Sequence, residues 1–395
     1  MLKLTIHKAD APSYRAAVLE LPEREDLLAE KLERIGVGVT LEKNCQVDKL
    51  EGDGGALQAL VGTRVNADEM QYLAKRMDSF DGNELLTFRA AVAVEKPANV
   101  KDLINLTFNL HCYTVITDFS DVAGIGRNHL LSRQMALSCD ELAAIDCDAI
   151  GRELIAGGGG TVTPYGVLYR NGNQPELVYN GRQFPEYFYQ ECEASLMLSP
   201  DEDFKGSETL YFPCFEVEIK KALLRLGVAE ADKCYTKLDT DRICDSVRGL
   251  FETEFVLAEN LDALNRLARC YKGFDAQILE NYHTVFDYAW PQTPEEAACL
   301  AENICDFTVL RDINTAKQYG RYMIEQSGHF ESDPNLEEYV DFQKYGEDHI
   351  RAEHGVFTDR GYLAYHGTSP LVEEILARTI QAEQTPEQGQ QMGGM

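Results

Sequence analysis

Chemistry in this chain of 395 residues would have to come from a few recognisable arrangements of Cys, His, Asp, Ser and Gly. Gly157–Gly160 is a glycine run of the kind that cradles phosphate, but the Gly-Lys-Ser/Thr of a P-loop does not follow it. The run reads as a helix stop followed by a turn. Gly124-Ile125-Gly126 lacks the third glycine of a dinucleotide fingerprint and reads as helix packing. The eight histidines contain no His-Glu-x-x-His, and His349 and His354, five apart, do not share a helical face. Asp146 and Asp148 form an Asp-x-Asp. Asp146 and its later counterpart Asp341 each precede a helical stretch, where a carboxylate accepts backbone N–H groups as an N-cap. No Gly-x-Ser-x-Gly elbow is present. A thiol hydrolase needs a Cys and a His brought together by the fold, for instance near Cys112 or His349, and spacing alone leaves that open. The eleven cysteines contain no Cys-x-x-Cys and read as reduced, mostly buried thiols. The expectation is no catalytic residue, no cofactor and no metal.

Charge is the stronger signal. Asp and Glu number 66 against 37 Lys and Arg, a formal charge of −29. That field excludes a protein gripping nucleic acid directly, or an anionic membrane. The acids are spread along the chain, with a net charge of −10 in the first 200 residues and −19 in the last 195. Helical spacing groups Glu23, Glu25, Asp26, Glu30 and Glu33, and further on Glu337, Glu338, Glu347, Asp348 and Glu353, as a candidate acidic interaction surface. Solubility is one reading of such a surface. Imitation of a polyanion is the other. Duplex DNA carries one charge per roughly 1.7 Å, so the net charge matches about 50 Å of duplex. A stiff acidic body of that length could fill the DNA channel of an enzyme and need no catalytic group. No apolar run approaches a membrane span, and Met1–Arg15 lacks the apolar segment of a signal peptide. The expected location is the cytoplasm, with no membrane contact.

The elements that must present these side chains repeat. Leu21–Val37 reads against Phe212–Val228 at an offset of 191, and YLAKRMDSFD (72–81) against RLARCYKGFD (266–275) at 194. Gly160-x-x-Thr163-x-x-Gly166 matches Gly355-x-x-Thr358-x-x-Gly361 at 195. So steady an offset reads as duplication of a whole domain, too long in period for a solenoid. The implied layout is a first module over 1–185, a linker over 186–205 and a second module over 206–370. A C-terminal helix with a disordered Gln/Gly-rich tail follows over 371–395. Leu2, Leu4 and Ile6 alternate as a strand. Pro22 opens a helix with Glu23, Glu25 and Asp26 in its first turn, Leu28 and Leu32 in its apolar stripe, and Gly36 as its stop. Helices are expected over 67–77, 82–94, 100–110, 121–134 and 147–156, with strands at 113–117 and 162–169. The second copy follows the same order and closes on a strand at 362–365. The class is α+β: two duplicated modules, each of helices with small antiparallel sheets, elongated overall.

Val100–Tyr113, followed by an Asp118-x-x-Asp121 turn and Gly126, resembles a segment of ArdA-like antirestriction proteins from mobile elements of gut Firmicutes. Val340-Asp341 with Tyr345-Gly346, then His354–Thr358 and Gly361-Tyr362, resembles the end of the same module. LAKRMDSFD and LARCYKGFD resemble its middle helix, so the chain looks like two modules in tandem. The resemblance implies a non-enzymatic DNA mimic that binds and inhibits a type I restriction–modification enzyme, or a related DNA-binding defence protein of the host. It carries over no catalytic, cofactor or metal residue. It leaves Asn109/Asn303, Asp118/Asp312 and Gly126/Gly320 as helix, turn and packing positions. Family members are single-copy chains that dimerise, so whether the duplication replaces that dimer, or a homo-oligomer forms, stays open. So do two other functions: a hydrolase or other enzyme of a mobile element with a site assembled across the fold, and a regulatory adaptor.

Overall fold

The computed structural model describes residues 1–395 apart from 12–13, 53–54, 135–136, 241–242, 252–257, 328–338 and 385–395. The fold is α+β, with small antiparallel sheets among helices. The chain divides into two compact units. The first takes residues 1–191, 199–209 and 215–229; the second takes 192–198, 210–214 and the chain from 230 onward.

The first unit opens with β1 (Leu2–Lys8), β2 (Ala16–Leu21), α1 (Glu25–Arg34), β3 (Cys45–Glu51) and β4 (Arg64–Val65). The strands form one sheet in the order β2-β1-β3-β4. Its inward face carries the expected Leu2, Leu4 and Ile6, joined by Leu19, Leu21 and Val47, and Leu28 and Leu32 of α1 close over the same core. Helix α1 begins three residues later than Pro22 suggested. The Gln71 amide explains the delay. It accepts a hydrogen bond from the Glu23 N–H (3.0 Å) and donates to the Glu23 carbonyl, which holds the chain extended up to Arg24. Gly36, at φ +77°, ends the helix as expected.

Next come α2 (Ala67–Asp78), α3 (Gly82–Glu95), α4 (Val100–Phe108), β5 (Tyr113–Ile116), α5 (Val122–Gln134), α6 (Cys139–Ala143), α7 (Cys147–Gly157), β6 (Thr161–Thr163) and β7 (Gly166–Arg170). Side chains of Asn66, Asp81 and Asn99 cap α2, α3 and α4. The stretch expected as one broken strand is a hairpin: Thr163 donates its hydroxyl to the Gly166 carbonyl (2.8 Å), and Gly166 takes φ +129°. Together with β5 it forms a sheet of order β5-β7-β6. Helix α8 (Glu216–Leu226) completes this unit and packs on α1.

The second unit takes most of β8 (Ala194–Ser199) and β9 (Glu208–Phe212), and β10 (Tyr235–Asp239), in a sheet of order β10-β8-β9. Strand β8 falls inside the stretch read as a linker. Its alternating buried Ala194, Leu196 and Leu198 are the strand signal, overshadowed by the Ser-Pro-Asp that follows. The chain continues with α9 (Asp245–Arg248), α10 (Ala258–Gly273), α11 (Ala276–Ala289), α12 (Pro294–Glu302), β11 (Phe307–Leu310), α13 (Ala316–Glu325), α14 (Phe342–Glu353), β12 (Val356–Thr358), β13 (Gly361–Tyr365) and α15 (Pro370–Gln384). Strands β11, β13 and β12 form a sheet in that order. The tail expected to be disordered lies outside the described residues from 385 on.

Local devices recur at the offsets seen in the sequence. Asn265 clamps the Cys214 N–H (2.9 Å) and carbonyl (2.8 Å) as Gln71 clamps Glu23. Thr358 donates to the Gly361 carbonyl (3.0 Å) as Thr163 does to Gly166. A Cβ on Gly126 would strike the Cys147 carbonyl, and one on Gly151 the Val122 carbonyl, so α5 and α7 touch backbone to backbone. Gly320 and Gly346 serve α13 and α14 in the same way, against the Phe342 and Ala316 carbonyls.

Candidate acidic interaction surface

The acids singled out from the sequence divide by what they touch. Glu25 is buried, not on the surface. It sits at the first residue of α1, between the ammonium groups of Lys75 (2.7 Å) and Lys221 (2.9 Å), and accepts from Gln71 (3.1 Å). Burial pushes its carboxyl up, but the two lysines outweigh it and hold the group at about 2. Lys221 is itself buried and also meets Asp68 (2.6 Å); burial works against its charge, and the two carboxylates more than restore it. Glu25 is therefore a structural anion. Glu23 is half-buried against Lys31. Asp26 pairs with Arg24 (2.6 Å) and Glu30 with Arg34, so both reach solvent beside a counter-ion. Glu33 is exposed and, among the described residues, has no Lys or Arg partner.

In the second unit, Glu353 turns inward as well. Its carboxylate accepts from the Tyr319 hydroxyl (2.6 Å) and the Tyr362 hydroxyl (2.9 Å), which ties α14 to α13 and β13. Glu347 is exposed and, among the described residues, accepts from Gln343 (2.6 Å), while Asp348 is exposed with a loose contact to Arg351 (3.4 Å). Glu337 and Glu338 lie outside the described residues.

Other exposed acids lie outside the grouping made from sequence, most of them at turns and helix caps. Asp118, Asp121, Glu141, Asp146 and Glu153 are exposed in the first unit, with no Lys or Arg ion pair among the described residues. Asp121 accepts the Gly124 N–H (2.8 Å) and Asp146 the Ala149 N–H (3.0 Å). The N-cap assignment of Asp146 and Asp341 holds, since Asp341 accepts the Lys344 N–H (3.1 Å). Backbone N–H groups of Ser120 and Ser138 hold the carboxyls of Asp118 and Glu141 below their ordinary values. A capping carboxylate keeps one oxygen on the backbone and offers the other to solvent, so it is a fixed surface anion. In the second unit Asp275, Asp312, Glu325 and Asp341 are exposed and likewise lack an ion pair among the described residues. Many of these groups stand on or beside α5, α7, α13 and α14, the helices locked by glycine contacts.

The arrangements that would support catalysis have other occupations. Asp148 pairs with Arg152 (2.6 Å). Gly158 and Gly159 take φ +65° and +85°, forming the turn after α7. Cys112 lies 3.7 Å from His111 Nε2, but burial and then Glu176 push its thiol up, away from the thiolate a nucleophile needs. His349 faces Tyr345 and stands 3.9 Å from Glu353, with no cysteine in either contact. A cleft beside α1 and α8, about 180 Å³, is lined by Glu33, Asn66, Asp68, Lys220 and Lys221 among others, none of them Cys or His. Asn109 donates to the Asn105 and Glu176 carbonyls, and Asn303 to the Cys299 carbonyl, so both serve their helix ends. No group of metal-ligating side chains occurs among the described residues, and no helix there is long and apolar enough to cross a membrane.

Residues 206–364 match the antirestriction protein (ArdA) family. The matched span runs from just before β9 into β13. It contains the 340–362 segment whose resemblance was read from sequence, while the 100–126 segment lies outside it. No curated protein matches the chain.

Proposed function

With the ArdA match over 206–364 as the premise, we propose that this chain is an antirestriction DNA mimic. Its exposed carboxylates occupy the Arg- and Lys-lined DNA site of a type I restriction–modification enzyme, or of a related DNA-binding defence protein, in the host cytoplasm. It makes and breaks no bond. The observation that carries the reading is the family match within a chain of net charge −29. The surface supports it. Asp121, Asp146, Asp275 and Asp341 are pinned by backbone N–H groups and carry no counter-ion among the described residues, as a rigid phosphate substitute requires. Asp26 and Glu30, each beside an arginine, are the contrast. The recurring clamps, hairpins and glycine contacts further support two tandem modules from one duplication. The test is competition. A type I enzyme holding a fluorescent duplex should release it as the purified chain is added, and DNA cleavage should fall in parallel. Duplex that stays bound at excess inhibitor contradicts the proposal.

A further inference from the structure

Trp290 is the chain's single tryptophan, and it is 71 % exposed. An indole is ordinarily among the most buried side chains on average. Here Trp290 stands at the end of α11 in the left-handed conformation, φ +48° and ψ +61°, its backbone N–H bonded to the Phe286 carbonyl (3.0 Å). The corresponding turn after α3 places Lys96 at φ +49°, so the conformation belongs to the turn. What is particular to the second unit is the indole.

The turn is fixed from several sides. Gln292 donates its side-chain amide to the Trp290 carbonyl (3.0 Å) and its N–H to Glu296 (2.7 Å). Glu296 is held by both terminal nitrogens of Arg378 (2.9 and 2.7 Å), and Thr379 donates to the Ala289 carbonyl (2.9 Å). The ring is thus carried on a braced backbone, which lowers the entropy lost when a partner orders it. The turn's nearest acids are partly compensated: Asp287 pairs with Arg360 (2.5 Å) and Glu296 with Arg378. Glu373 and Glu374 are exposed and have no ion pair among the described residues; they lie on α15, which packs on α11, within roughly two turns of Thr379. A rigid exposed indole beside carboxylates suits one class of group above others, a guanidinium, which stacks on the ring while its charge meets the acids.

We infer that Trp290 is an anchor for an arginine on the DNA-binding surface of the target, adding a cation–π contact to the carboxylate field. This rests on the proposed function, because it takes its partner to be an arginine-bearing DNA-binding protein. It separates from that function experimentally, because an indole contact survives salt better than an exposed charge pair does.

Two measurements on the full chain decide it. Trp290 is the only indole, so emission excited at the red edge, where the tyrosines do not absorb, reports it alone. Saturating deca-arginine should quench or shift that emission more than deca-lysine does. Unchanged emission with bound deca-arginine overturns the inference, whatever the chain does to a restriction enzyme. The second uses Trp290→Gly and Trp290→Tyr. Glycine suits the positive φ, so Trp290→Gly should melt no lower than wild type. It should nevertheless inhibit a type I enzyme about tenfold less well, while Trp290→Tyr keeps most of the inhibition. Equal inhibition by Trp290→Gly and wild type overturns the anchor and leaves the antirestriction reading standing. Failure of the wild-type chain to inhibit refutes that reading, and the peptide titration still tests the indole.

Discussion

Glu25 and Glu353 look like Glu33 and Glu347 in the sequence, acids spaced along charged helices, yet Glu25 is buried, Glu353 is half-buried and the other two are open to solvent. The partners decide this. Lys75 and Lys221 stand 50 and 196 residues from Glu25, and Tyr319 stands 34 residues from Glu353, so no local pattern announces them. An acid in a first helical turn reads equally well as a dipole-stabilising surface group. Lys221→Met should cost about 3 kcal/mol or more in urea unfolding, because it strands Glu25 and Asp68 with too little positive charge in a buried site. A pH series on Glu25→Gln against wild type isolates the carboxylate itself. Its folded pKa, about 2, lies below the unfolded value, so its stabilisation is fully present above about pH 4.5 and fades as pH falls toward 2. The difference between the two proteins should shrink by about 3 kcal/mol across that window. Glu69, Glu208 and Glu218 shift upward through burial and shape the raw curve in the opposite sense, which is why the difference is the quantity to measure.

Elements were more legible than partners. Helices α2 to α5 and α7 lie within a few residues of where apolar periodicity and capping residues placed them, because those signals are local. The start of α1 moved because a side chain 48 residues away grips Glu23, and β8 was passed over beside a turn signal. Gly126 and Gly320 could be assigned to packing from sequence, but their contacts with the backbone of α7 and α14 could not. Gly126→Ala should lower stability by about 2–4 kcal/mol in thermal or denaturant unfolding, since its Cβ must push two helix backbones apart. Gly157→Ala, in a helical turn with open space around it, should be neutral or raise stability by up to about 1 kcal/mol. If both substitutions have the same effect, the helix contact at Gly126 is not tight.

For the molecule as a whole, charge and repetition were visible at once, since both are properties of composition and spacing. Which acids are free was not visible, because neutralisation depends on contacts made in space. Asp26 and Glu30 carry local counter-ions, while Asp121, Asp146, Asp275 and Asp341 are pinned, exposed and uncompensated among the described residues. Replacing Asp121 and Asp146 together by Asn, which retains a capping oxygen, should leave the fold intact and weaken inhibition several-fold. Circular dichroism alongside the inhibition assay checks both halves of that expectation. The most direct test of mimicry is the affinity for a type I enzyme measured between about 50 and about 300 mM salt. Carboxylates standing in for phosphates predict a steep, near-linear loss of log affinity with log salt, parallel to that of the enzyme's own DNA. An affinity that stays level across the range would contradict them.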